Sequence, residues 1–405
     1  MIKYIRTSLL CGSVLVLGAC SSSETHSDQA SNVENTSSAN QQSQNNLKHS
    51  SEQKTSHSAN IQQAYQVEKV AQFNEPWAIV TLPDQRLLIT ERKGVLKIFN
   101  PLTKQSTVVS GVPKSTYGGQ GGLGDVVLHP QFEKNQWIYL SFAQSGQGGH
   151  GAVVVRAKLD TSATQPKLTN IEEIWQQVPK VSGKGHYAHR LVFDREGKLW
   201  IASGERQKFD PAQDMKSNLG KIVRLNDDGT PVKDNPFYQQ GGVAAQVWSL
   251  GHRNPLGIAF DQQNQLWVVE MGPKGGDELN RIVKGENYGY PIVSNGDHYS
   301  GKPIPNHSTR PEFKAPEVTW TPVISPSSLM IYQGNQFPAW KDKALIGGLS
   351  SESITVVNLK NKPAQEVQRL QMKERIRGLA EAQDGSIWVI EDGPKANLLK
   401  LTAQP

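Results

Sequence analysis

Apolar and polar positions along this chain fall into short runs, and one phrase made of them returns six times. From about residue 66 an apolar run leads to a polar turn, often with Asp or Gly, and then to a run often reading Leu/Ile-Trp-Val/Ile. The first copy is Trp77-Ala78-Ile79-Val80 followed by Leu87-Leu88-Ile89-Thr90, and the second runs from Val126-Val127-Leu128 to Trp137-Ile138-Tyr139-Leu140. Leu191-Val192-Phe193-Asp194 with Leu199-Trp200-Ile201 is the third, and Gly257-Ile258-Ala259-Phe260-Asp261 with Leu266-Trp267-Val268-Val269 the fourth. A weaker fifth joins Ser328-Leu329-Met330-Ile331-Tyr332 to Ala344-Leu345-Ile346, and Gly378-Leu379-Ala380 with Ile387-Trp388-Val389-Ile390 completes the set. β-Branched and aromatic runs around a turn predict a hairpin in each case. Counted from Leu88 through Tyr139, Trp200, Trp267, Leu345 and Trp388, the copies lie 51, 61, 67, 78 and 43 residues apart. A four-stranded blade takes ~40–50 residues before insertions. The pattern therefore predicts an all-β fold, a six-bladed β-propeller over residues 66–405. Two packed sandwiches would not explain one phrase returning around the whole chain, and the scarcity of helical periodicity argues against βαβ layering.

The first residues follow a different pattern. Lys3 and Arg6 precede an apolar stretch from Leu9 to Leu17, which ends in Leu17-Gly18-Ala19-Cys20. That stretch is too short to span a membrane and has the layout of a secretory signal. Small residues before a Cys resemble the bacterial lipobox, in which cleavage leaves Cys20 as an acylated N-terminus. Residues 1–19 are thus expected to be a signal peptide and Cys20 a lipid anchor, since several acyl chains hold stably where one does not. Ser21 follows, without the Asp that resembles an inner-membrane retention signal. The expected location is the periplasmic face of the outer membrane, with contact to the membrane only through the lipid. Between residues 21 and 65, Ser, Asn and Gln supply 25 of 45 positions, with no Trp, Phe, Gly or Pro. So polar a segment buries too little apolar surface to offset its conformational entropy and is expected to be a disordered tether over residues 20–65.

Composition narrows the function classes. Two cysteines, one of them in the signal, exclude a disulfide scaffold and a Cys-rich metal centre. The net charge of +6 contains no run of five Lys or Arg, so a nucleic-acid-binding tract is excluded as well. What remains is a propeller, and propellers place their chemistry in the loops at the channel mouth.

Five loops carry unusual residues. Gly118-Gly119-Gln120-Gly121-Gly122-Leu123-Gly124-Asp125 offers tight backbone approach around a single amide, and alone it also reads as a hairpin turn. Gly185-His186-Tyr187-Ala188-His189-Arg190-Leu191 invites a metal reading, but no third His or carboxylate is evident nearby; an imidazole at a channel mouth also suits proton abstraction from an alcohol. Gly251-His252-Arg253-Asn254-Pro255 pairs a cationic fork with an amide, suited to polarising a quinone or carboxylate oxygen. Glu270-Met271-Gly272-Pro273-Lys274-Gly275-Gly276-Asp277-Glu278 with Asn287-Tyr288-Gly289-Tyr290-Pro291 brings carbonyls and carboxylates together, the oxygen-rich setting Ca²⁺ needs. In Arg375-Ile376-Arg377-Gly378, strand alternation points both guanidinium groups to one side, where an anion between them, most naturally a multiply carboxylated ligand, relieves their repulsion.

Taken in register, these motifs resemble the soluble pyrroloquinoline quinone (PQQ)-dependent glucose/aldose sugar dehydrogenases, the aldose branch more closely. The resemblance covers about residues 70–400 and implies PQQ and Ca²⁺ at the mouth of a six-bladed propeller that oxidises aldose sugars at C1 to lactones. It implies that His186 is the general base for the C1 hydroxyl while hydride passes to PQQ. Gln120, Arg253 and Asn254 match residues at the sugar and cofactor, and Arg375 with Arg377 matches a clamp on the PQQ carboxylates. The carbonyls of Gly272 and Pro273 match ligands of the cofactor-bound Ca²⁺. Glu278 and the Tyr288 backbone match a second, structural Ca²⁺ site. The resemblance names no electron acceptor. Where the family usually has a Lys against the quinone, Gly347-Gly348-Leu349-Ser350-Ser351 puts Ser350, and Lys274 or Lys343 is a candidate to compensate. Two other readings follow from the residues: a propeller lipoprotein that binds a sugar or envelope partner without catalysis, motivated by Ser350, and a Ca²⁺-dependent hydrolase of the lactonase type. The second is disfavoured because carbonyls and arginines, not side-chain carboxylates and Asn, dominate these loops.

Overall fold

Each of the six phrases forms the two inner strands of a four-stranded antiparallel sheet in the computed structural model, which describes residues 64–162 and 164–404. The signal, Cys20 and nearly all of the tether lie outside the described residues. The innermost strands are Pro76–Thr81, Leu123–Leu128, Ala188–Phe193, Pro255–Phe260, Pro326–Ile331 and Ile376–Glu381. Each touches the next and the sixth touches the first, which closes the ring of a six-bladed β-propeller. Tyr65–Phe73, the first strand in sequence, is the outermost strand of the sixth blade and pairs with Ala396–Ala403. That pairing joins the two ends of the ring.

The hydrophobic core is divided in the same way. Six buried clusters each lie between two neighbouring blades, because strands covered on both faces must be apolar on both. The Asp turn of the phrase also has a structural task. Asp194 accepts the backbone N–H groups of Glu196 and Lys198 with one oxygen and the Trp200 indole at 2.8 Å with the other. Asp261 repeats this with Gln263, Gln265 and Trp267. Turn and strand are therefore fixed together. The weak fifth copy follows the longest interval because 36 residues separate Asp277–Arg281 from Val318–Trp320.

Every blade carries a β-bulge at the start of its inner pair, between Pro76/Ala78, Leu123/Val126, Ala188/Leu191, Pro255/Gly257, Pro326/Ser328 and Ile376/Gly378. A bulge re-aims side chains and bends the strand. Buried Arg190, itself in a bulge, touches bulge residues of the other five blades. Its Nε donates to Leu256 O at 2.8 Å, and Nη1 reaches Asp125 Oδ1 at 3.2 Å. Nη2 donates to Ser327 O and to Arg377 O, and the guanidinium lies 4.0 Å from the Trp77 ring centre. This hub closes the channel beneath the loops.

Candidate active site

The loops singled out in the sequence all emerge at one end of the ring. They lead into an innermost strand or join the second strand of a blade to the third, except that residues 287–291 lie in the long connection between the fourth blade's third and fourth strands and return to the Gly251 loop, where Tyr288 N–H donates to Leu250 O at 2.8 Å. A cavity of about 300 Å³ there is lined by Trp77, Gln120, His189, Leu256, Arg375 and Arg377 among others.

His186 stands on a positive φ of 49°, and its backbone N–H donates to Gln120 Oε1 at 2.7 Å, so the glycine-rich loop positions the histidine loop. Its Nδ1–H donates to Oε1 of Glu205, a fully buried carboxylate at the end of the third blade's second strand. The other Glu205 oxygen accepts the backbone N–H groups of Lys208 and, at 2.7 Å, Phe209. Glu205 fixes the tautomer and leaves Nε2 as the basic nitrogen. Burial holds His186 below the ordinary histidine range, against the opposing effect of its hydrogen bond to Glu205, so the ring is neutral at neutral pH. Burial pushes Glu205 upward, but His186 and the two N–H groups more than offset it and the carboxyl lies below its usual range. The carboxylate that the sequence did not bring to mind for this histidine is thus present, as one orienting partner and not as a metal-ligand set.

Arg253 spends Nη1 on Met271 O at 3.0 Å and Nη2 on the Tyr299 hydroxyl at 3.4 Å, while Nε is buried without a partner. Asn254 is fully buried, and neither atom of its amide has a partner. Gly204 makes this approach possible, since a Cβ there would sit 2.1 Å from His186 O and 3.1 Å from Asn254 Oδ1.

Arg375 and Arg377 do point together, but an anion already lies between them. Asp392 accepts from Arg375 Nε at 2.9 Å with Oδ2 and from Arg377 Nε at 2.8 Å with Oδ1. Simple strand alternation is not the cause, because the bulge at Ile376/Gly378 intervenes. An anion between them was expected, most naturally a multiply carboxylated ligand, and in the structure the protein's own Asp392 takes that place. Arg92, also unforeseen, lines the same cavity and donates to Gly119 O and to Gly121 O at 3.3 Å. The lining thus holds three guanidinium groups and one carboxylate, with Glu75 3.8 Å from Arg92 outside it, which leaves the cavity cationic.

Beside it lies a narrow void lined by Gly272, Pro273, Glu270, Glu278 and Tyr288. The Gly272 N–H is held by Asp277 Oδ1 at 2.9 Å, while the carbonyls of Gly272 and Pro273 accept no hydrogen bond among the described residues. Burial pushes Asp277 up to about 6 despite N–H groups from Ser325 and Gly272. Burial, and then the neighbouring Glu270, push Glu278 well above the carboxylate range, and Asn280 Nδ2 at 3.0 Å is its hydrogen-bond donor. The Tyr288 carbonyl already accepts His307 Nε2 at 3.0 Å, which leaves it one lone pair. Among the described residues no cluster of three His, Cys, Asp or Glu could hold a metal, so a cation here depends on backbone oxygens. Unpaired carbonyls beside a buried carboxylate suit a hard cation such as Ca²⁺.

Ser350 is exposed and spends its hydroxyl on Val323 O at 3.2 Å and Ser325 Oγ at 2.8 Å. Lys343 is bonded to Ala339 O at 2.7 Å and does not line the cavity. Lys274 is exposed and does not line it either; besides Arg375 and Arg377, the cation that does is Arg92.

Glu205, Arg92 and Asp392 were missed because they lie just after second strands, and only the fourth and fifth blades' loops at that place were singled out. A signal was present. An acidic residue closes the second strand at Glu91, Glu270 and Glu391, and all three are buried.

The comparisons with known proteins agree with this geometry. Aldose sugar dehydrogenase YliI of Escherichia coli (strain K12) is 38% identical over 339 residues, covering 82% of this chain and 90% of that protein. The crystal structure of the soluble aldose sugar dehydrogenase from Escherichia coli in the apo-form superposes with a TM-score of 0.79 at 36% identity, over 84% of this chain and all of that one. The PQQ-bound form of aldose sugar dehydrogenase from Streptomyces coelicolor gives 0.70 at 27% identity, over 84% and 98%. The profile of the family described as Glucose / Sorbosone dehydrogenase matches residues 73–400, and this chain belongs to that family.

Proposed function

We propose that this protein oxidises aldose sugars at C1 to lactones with PQQ and Ca²⁺. The observation that carries the reading is the His186–Glu205 pair beside a cationic cavity. His186 Nε2 takes the proton of the C1 hydroxyl, and Glu205 stabilises the imidazolium that forms and keeps the ring in place. When bound, PQQ supplies the hydride acceptor. Arg375, Arg377 and Arg92 give a polycarboxylate its counter-charge, with Asp392 holding the first two in register. Asn254 and Arg253 Nε, both buried and unpartnered, fit a ligand that supplies what the protein does not. The carbonyls of Gly272 and Pro273 are assigned to a cofactor-bound Ca²⁺, and Glu278 with the Tyr288 carbonyl to a second Ca²⁺.

A test mixes the protein with PQQ and Ca²⁺ and follows dye reduction with a panel of aldoses. Turnover that His186→Ala abolishes supports the reading, whereas no cofactor spectrum and no turnover at saturating PQQ would sink it. The alternative, a propeller that binds sugar without oxidising it, draws on Ser350, whose hydroxyl is engaged by Ser325 and Val323 and supplies no cation. Sugar binding with no PQQ uptake would favour that alternative.

A further inference from the structure

His189 is a closely packed residue of the cavity lining that the proposed mechanism does not use. Its ring stacks on Tyr187, with centroids 5.3 Å apart and planes at 17°, and meets Trp77 edge-on at 5.8 Å. Its carbonyl accepts Ser141 Oγ at 2.7 Å. On the remaining side Gly124 makes room, since a Cβ there would come within 2.7 Å of the imidazole Cγ. The backbone holds a positive φ of 72°, a conformation that is strained for a non-glycine residue. A strained, fully packed ring should have its polar atoms satisfied. Instead, both ring nitrogens are buried without a partner, in a side chain that lines the cavity with Gln120, Arg375 and Arg377.

Resting on the PQQ reading above, we infer that His189 is a cofactor-binding residue whose ring N–H donates to an oxygen of the bound quinone. Burial and the charges of Arg206, Arg190 and Arg92 push the imidazole down to about 3, so it is neutral wherever the protein works. A neutral imidazole adds a directed donor to a cavity already crowded with guanidinium groups, without adding another positive charge.

The test is a PQQ titration of the Ca²⁺-loaded protein followed by tryptophan fluorescence, for wild type, His189→Phe and His189→Gln. Loss of the hydrogen bond with the ring shape kept should weaken binding about tenfold, and Gln should recover most of it. In ¹⁵N-histidine-labelled wild type, the His189 ring signals should move when PQQ is added, and this measurement decides the matter even if a variant fails to fold. Wild-type binding with equal affinity in His189→Phe, or ring signals that stay in place, overturns this inference alone. If wild type takes up no PQQ, the cofactor reading falls and this one falls with it.

Discussion

Glu205→Gln separates chemistry from scaffolding at the active site. The carboxylate uses both oxygens, one for His186 Nδ1–H and the other for the N–H groups of Lys208 and Phe209. Glutamine keeps the size but offers one acceptor. If its oxygen serves His186, its NH₂ faces two backbone donors. A hydrogen bond to a charged partner contributes about 1.5–3 kcal/mol, and a neutral one about 0.5–1.5 kcal/mol. With His186 buried, little solvent screening reduces that difference. About 1.4 kcal/mol less stabilisation of the imidazolium corresponds to about a tenfold fall in kcat/KM, which we take as the lower bound. The pH profile adds a second observable. Glu205 raises the His186 pKa against the effect of burial, so its neutralisation lowers that pKa further below the ordinary range. The base must be neutral to act, and its acid flank should therefore move to lower pH while the plateau falls. Steady-state kcat/KM across the acid and neutral range reads both. A merely loosened fold would scale the curve without moving the flank; a flank that stays put or moves upward refutes the assigned role.

Four further outcomes are expected, three from the same geometry and one from the sequence. Ser350→Lys should tighten PQQ binding by one to two decades, the effect of a charged hydrogen bond worth about 1.5–3 kcal/mol, and unchanged affinity in a fluorescence titration would refute the account of that departure. Ca²⁺ should raise the melting temperature, with about 2.7 kcal/mol gained at a hundredfold excess over Kd. Glu278→Gln should raise the melting temperature of the Ca²⁺-free protein, by removing a carboxyl that must either be buried charged beside Glu270 or take up a proton on folding, and should also erase the Ca²⁺ increment; a variant still stabilised by Ca²⁺ shows the ion is elsewhere. Cys20→Ala should release the protein from the membrane fraction in a cell fractionation, and persistent membrane association would refute the lipid anchor.

How much of this was legible in the sequence depends on the range over which each feature acts. The blades could be read because a hairpin is local: Asp194 fixes Trp200, and Asp261 fixes Trp267, within six residues. The closing strand could not, because Tyr65–Phe73 carries no copy of the phrase and finds its partner at the far end of the chain. His186 stood out as a residue type, yet its carboxylate arrives from 19 residues away, after a strand that reads as core. The arginine pair stood out as well, but the inference from alternation took a regular strand where the bulge at Ile376/Gly378 lies. The bulges are the largest feature the pattern hid. An extra residue at the start of an apolar run looks like ordinary sequence, and its meaning appears only when six of them meet on one axis. There Arg190 ties Trp77, Asp125, Leu256, Ser327 and Arg377 into the cavity floor. Three of its contacts are to backbone carbonyls, which any residue supplies, so side-chain identity at Leu256, Ser327 and Arg377 could not have revealed them. The same arrangement frees those three side chains for other uses. Leu256 and Arg377 project into the cavity while their carbonyls hold the ring together. At Leu256 and Arg377 scaffold and site thus share residues but divide the atoms, which allows those side chains to vary without opening the floor beneath them, whereas Trp77 serves both with its ring.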